Sequence, residues 1–131
     1  MSWLADWFFP ERALLRDHAL LKEVVRRIVA VAEPEQVILF GSVARRQQRR
    51  NSDLDLLVIK SGVTDPTQLA RQIRSNFFGI RKPIDIVVAT PEAVQESRTR
   101  RWTFLGRIAQ DGKVIYRNGH RNGEARKSGV R

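Results

Sequence analysis

Gln36-Val37-Ile38-Leu39-Phe40-Gly41-Ser42, ten residues, and then Asp53-Leu54-Asp55-Leu56-Leu57-Val58-Ile59 is the stretch that decides the fold. Each apolar run is short and unbroken, the pattern of a strand buried on both faces rather than an amphipathic helix. The first run stops at a glycine, which lets backbone approach a neighbour or ligand closely. The second opens on two aspartates spaced two apart, so on a strand both side chains point to one face. A third run, Pro83-Ile84-Asp85-Ile86-Val87-Val88-Ala89, again holds one aspartate among apolar neighbours.

Working outward, Leu14, Leu15, Leu21, Val24, Val25, Ile28 and Val31 return at helical steps, so Glu11 to Ala32 reads as an amphipathic helix ending at Glu33-Pro34. Val43 to Arg50 is polar and reads as one or two helical turns. Asp65-Pro66 and Thr90-Pro91 each pair an N-cap side chain with proline at the first helical position. These open helices expected to reach about Phe78 and Ala109. Asp111-Gly112 is a turn, and Lys113 to Tyr116 a short closing strand. The order of helices and strands predicts an α/β (α+β) domain with helices packed on a small mixed sheet of about four strands.

The chain of 131 residues is one domain by length. It divides into an aromatic start at 1–10 (Trp3, Trp7, Phe8, Phe9), a core at 11–116 and a basic tail at 117–131, which is too poor in apolar residues to order itself. There is no cysteine, so thiolate-bound zinc is excluded and any metal sits on oxygen or nitrogen. No stretch approaches the roughly 20 apolar residues that span a bilayer, and no secretory signal opens the chain. A cytoplasmic protein with no membrane partner is the expectation. The net charge of +10 favours a polyanionic partner: nucleotide phosphates, nucleic acid or an acidic protein.

Aspartate is depleted in strands, because its short polar side chain resists burial. A lone Asp-x-Asp is as readily a turn or a salt-bridged strand end. If the second and third strands pair, however, Asp53, Asp55 and Asp85 converge on one spot, where three anions need a counter-charge. Magnesium, a hard cation that prefers oxygen ligands, supplies one. If a helix begins just after Gly41-Ser42, its free N–H groups and the Ser42 hydroxyl can receive phosphate oxygens.

Phe40-Gly41-Ser42-Val43-Ala44-Arg45, followed by Asn51-Ser52-Asp53-Leu54-Asp55-Leu56, resembles the signature of the minimal nucleotidyltransferases of the DNA polymerase β-like superfamily. The resemblance covers roughly Glu11 to Tyr116. It implies the nucleotidyltransferase fold, with Gly41 and Ser42 at the β- and γ-phosphates and Arg45 and Ser52 as further nucleotide contacts. It also implies that Asp53, Asp55 and Asp85 act as catalytic ligands of two magnesium ions, with ATP as donor. One departure is Arg46, which puts a Cβ and a charge where many members carry glycine.

The resemblance extends to the antitoxin half of HEPN–MNT toxin–antitoxin pairs, which transfers AMP from ATP to a tyrosine of a HEPN ribonuclease. Because nothing after the core would form an acceptor-binding domain, a partner protein is expected to bring the acceptor hydroxyl. The alternatives are a small-molecule, aminoglycoside-type nucleotidyltransferase and an antitoxin that neutralises by contact alone. Nucleic acid is a weaker candidate, with no thumb or RNA-binding domain recognisable, and an oligomer stays open. Arg45, Arg46, Arg49 and Arg50 could grip triphosphate or an acidic acceptor, whereas Arg98, Arg100, Arg101 and Arg107 read as the solvated face of the last helix.

Overall fold

The computed structural model describes residues 18–41 and 53–118. Along these run α1 (His18–Ala32), β1 (Gln36–Phe40), β2 (Leu54–Ile59), α2 (Pro66–Arg74), β3 (Ile84–Ala89), α3 (Pro91–Ser97), α4 (Phe104–Asp111) and β4 (Lys113–Arg117). The strands form one mixed sheet in the order β3-β2-β1-β4. β1 is antiparallel to both β2 and β4, whereas β2 and β3, joined through α2, run parallel. The expected α/β architecture is the one observed.

The unbroken apolar runs are explained by helices on both faces of the sheet. On one face Leu21, Val24, Val25 and Ile28 of α1 and Ala70 and Ile73 of α2 pack with Val37, Leu39, Leu54, Leu56, Val58, Ile86 and Val88. On the other, Val94 of α3 and Ile108 of α4 cover Ile38, Leu57, Ile59 and Ala89. Strand β2 is therefore apolar at every position but one. That position, Asp55, is the only residue of β2 that is not fully buried.

Both cap-and-proline openings form as the sequence predicts. The Asp65 side chain accepts from the Gln68 N–H, and the Thr90 hydroxyl accepts from the Ala93 N–H. α1 ends at Glu33, which takes φ 46° just before Pro34. Arg27 on α1 then ties down the end of α2: it donates to the carbonyls of Asn76 and Phe78 at 3.0 and 2.7 Å and lies over the Phe78 ring at 4.8 Å. It also donates to Glu23 at 2.8 Å, and Arg26 pairs with the same carboxylate. These contacts hold the Glu23 carboxyl below its usual value, chiefly through the Arg27 hydrogen bond.

Three boundaries differ from expectation. The single helix expected from Thr90 to Ala109 is two helices, α3 and α4, separated at residues 98–103. The physical cause is a second cap: the Thr103 hydroxyl accepts from the Gly106 N–H while donating to the Arg100 carbonyl. Gly106 seats against that turn so tightly that a Cβ there would overlap the Arg100 carbonyl oxygen. α2 stops at Arg74, where Ser75 and Asn76 turn the chain toward the Arg27 latch. The last strand continues through Arg117, and the Asn118 N–H donates to the Glu35 carbonyl, so order extends past the expected start of the tail.

Candidate active site

Gly41 closes β1 with φ 81°, a left-handed conformation that favours glycine. Its neighbour Phe40 stands opposite Asp55 in the antiparallel β1–β2 register, and Asp55 stands opposite Asp85 in the parallel β2–β3 register. The side chains of Asp55 and Asp85 accordingly share one face, that of Leu57, Ile59 and Ala89. Asp53 lies two residues earlier on β2's path and is exposed. The Leu54 N–H donates to the Pro83 carbonyl at 3.0 Å, which carries the β2–β3 pairing up to its side.

Helices α3 and α4 cover the far end of this face and leave the carboxylate end open: Asp85 is exposed and Asp55 half-buried. Neither Asp53 nor Asp85 has an ion-pair partner among the described residues. Gly41 meets Asp55 at closest range. A Cβ at position 41 would overlap Asp55 Oδ2 and stand 3.0 Å from its Cγ. Only a residue without a side chain lets the end of β1 sit against that carboxylate.

The structure therefore brings Gly41, Asp55 and Asp85 to one edge of the sheet, with Asp53 beside them. Among the described residues, no three His, Cys, Asp or Glu side chains gather at the spacing of a metal site. The donor chemistry nonetheless suits a hard cation: oxygen ligands only, on one face, with Asp55 approached closely by a glycine. Ser42, Arg45 and Ser52 lie outside the described residues, as do Arg46, Arg49, Arg50, the turns expected at 43–50 and the N-terminal aromatics.

Phe40 and Gly41 also line a cavity beside the carboxylate edge with Phe104, Arg107, Ile108 and Asp111, four residues that the sequence did not assign to a site. Phe104 meets Phe40 edge to face, with ring centroids 5.7 Å apart. The signal was present: positions 104, 107, 108 and 111 fall on one face of a helix. It stayed hidden because the helix was expected to end at about Ala109, with Asp111 in a turn and Arg107 on a solvated face.

No helix among the described residues is long and apolar enough to cross a membrane. A comparison with curated proteins finds no match. Among solved structures, a candidate nucleotidyltransferase from Sulfolobus solfataricus superposes with TM-score 0.57 at 23% identity, over 82% of this chain and 86% of that one. At that identity the likeness speaks for the fold alone. A toxin–antitoxin structure with AMP-PNP gives TM-score 0.44 at 21% identity, covering 78% and 77% of the two chains. A mutant of the toxin–antitoxin MntA–HpeT gives 0.41 at 19% identity, covering 82% and 78%. The profile of the family described as polymerase beta, nucleotidyltransferase matches residues 22–121, a span that takes in Gly41, Asp53, Asp55 and Asp85. The chain belongs to the polymerase β-type nucleotidyltransferase family.

Proposed function

We propose that this protein transfers a nucleoside monophosphate, AMP from ATP, to a hydroxyl of a partner protein, as the antitoxin of a HEPN-type ribonuclease toxin. The observation that carries the transfer chemistry is the junction of three strands: the glycine ending β1 against Asp55, and Asp55 in register with Asp85. The donor, the antitoxin role and the kind of partner follow from the sequence resemblance.

Asp53, Asp55 and Asp85 would hold two magnesium ions. Bound magnesium supplies positive charge to the triphosphate and lowers the pKa of an acceptor hydroxyl. Gly41 keeps side-chain bulk away from the carboxylates, and the N–H groups after it, with Ser42, receive phosphate oxygens. The acceptor oxygen bonds to the α-phosphorus, the bond to the bridging oxygen breaks, and pyrophosphate leaves. The hydroxyl proton passes to a carboxylate or to solvent. Catalysis then rests on positioning and charge rather than on a covalent intermediate.

The test is to incubate the chain with α-labelled ATP, magnesium and the protein encoded beside it. Label should move to that protein, and the double variant Asp53→Ala, Asp55→Ala should transfer none. A partner left unlabelled by every nucleoside triphosphate overturns the reading. If the double variant still protects cells from the partner, contact alone suffices.

A further inference from the structure

Between α3 and α4 the chain exposes what a soluble domain normally covers. Trp102 is 74% exposed and Phe104 56%. Arg98, Arg100, Arg101 and Arg107 around them are exposed too, and none forms an ion pair among the described residues. Exposed aromatics with arginine are the residues that most often anchor protein partners.

The patch adjoins the active-site edge. Phe104 touches Phe40, the residue before Gly41 and the cross-strand neighbour of Asp55. Phe104 and Arg107 form one wall of the cavity whose other wall is Phe40 and Gly41, with Asp111 as its acidic member. A side chain entering beside Phe104 would arrive next to the phosphate-loop glycine. The link at residues 98–103 is thus placed to present an acceptor, not only to join two helices.

We propose that Trp102, Phe104, Arg100, Arg101 and Arg107 form the docking surface for the acceptor. The occupant is an acidic segment of a partner protein that carries an aromatic or apolar residue beside its acceptor hydroxyl. This rests on the transfer reading above and names the chemistry of its substrate. Charge selects the occupant: a chain of net charge +10 repels its own copy across such a patch, whereas carboxylates are drawn to the guanidinium groups of Arg100, Arg101 and Arg107, which have no ion-pair partner among the described residues. Single-stranded nucleic acid is favoured less, because its binders line a basic groove with rings for successive bases. Here two rings flank one cavity.

The probe is a poly(Glu,Tyr) copolymer, with oligo(dT) as the nucleic-acid arm, both titrated by fluorescence anisotropy at about 0.15 M salt to screen diffuse attraction. The variants are Trp102→Ala with Phe104→Ala, and Arg100→Glu with Arg101→Glu. Arg71→Glu with Arg74→Glu on α2 removes equal charge from the opposite face. Circular dichroism confirms that each variant is folded. Each patch variant should weaken copolymer binding about tenfold or more, and the α2 variant by much less. Equal weakening by the α2 variant, or unaltered binding by the patch variants, overturns the docking surface, as does tighter patch-dependent binding of oligo(dT). Asp55→Asn should bind the copolymer as wild type does. If binding follows this pattern but no label reaches the copolymer or any partner, the transfer reading fails while the docking surface stands. If labelling of a partner is indifferent to the patch, the reverse holds.

Discussion

Gly41 and Asp55 are packed so closely that position 41 has no room for a methyl group: its Cβ would overlap Asp55 Oδ2 and stand 3.3 Å from Asp55 Cβ. With φ 81° the backbone there also disfavours any L side chain. Gly41→Ala should therefore displace the carboxylate and cut transfer by about 10²-fold or more, the scale of an ångström-sized misplacement. The chain should still fold, at a stability cost of about 1–2 kcal/mol. Steady-state rates and urea unfolding of the same sample separate the two effects.

Asp85→Asn and Asp55→Asn both remove charge from the paired positions of β2 and β3. Each should lower the rate by about 10²-fold or more with little change in fold, because these carboxylates are not part of the apolar core. Chelation by EDTA should stop transfer by the native chain, and added magnesium should restore it. Transfer that persists in excess chelator would remove the three aspartates from the role given to them.

The Arg27 latch predicts a stability effect far from the site. Arg27→Ala loses two hydrogen bonds to backbone carbonyls and the contact with the Phe78 ring, and should cost about 1–3 kcal/mol in denaturant titrations. Activity of the fraction that remains folded should be unchanged.

Glu23 adds a pH dependence whose sign is fixed. Its folded-state pKa is depressed, first by the Arg27 hydrogen bond, so its contribution is present above the ordinary carboxylate value of 4.5. That contribution is lost as pH falls through the lower folded value. Glu23→Gln should flatten that part of the stability curve below 4.5 and leave the curve near neutral pH similar in shape. Parallel curves for the two proteins on acidification would show that the pair contributes nothing.

Gly106→Ala should disturb the join between α3 and α4, since the new methyl would meet the Arg100 carbonyl oxygen and Thr103 Oγ1. A loss of about 1–3 kcal/mol is expected, by analogy with overpacked cores. The native contact between Phe104 and Phe40 should loosen with it.

The strands were legible because each is centred on a short apolar run. The aspartates stood out because they break that pattern. The spacing of Asp53 and Asp55 led to the expectation of a shared face, whereas the strand itself begins at Leu54. What could not be read was the partner strand: whether Asp55 meets Asp85 depends on β2 and β3 being parallel and in register, and α2 has to cross over for that to happen. The break between α3 and α4 was hidden for another reason. Arg98 to Arg101 are all helix-compatible, and the turn is decided by Thr103 capping Gly106 and by a glycine pressed onto the Arg100 carbonyl. Both contacts are local, within six residues, but no proline announces them. With Arg107 expected on a solvated face and Asp111 in a turn, nothing joined them to Phe104, whereas the three line one cavity with Gly41.

Strand β2 has a neighbour on each side and helices over both faces, and Asp55 is its one half-exposed position. Its amide hydrogens should be among the slowest in the molecule to exchange with solvent, opening only when the whole domain opens. A carboxylate mounted there shares that lifetime. Mild heat or denaturant should therefore abolish turnover in the same cooperative step that releases the core, so residual activity would serve as a direct count of intact molecules.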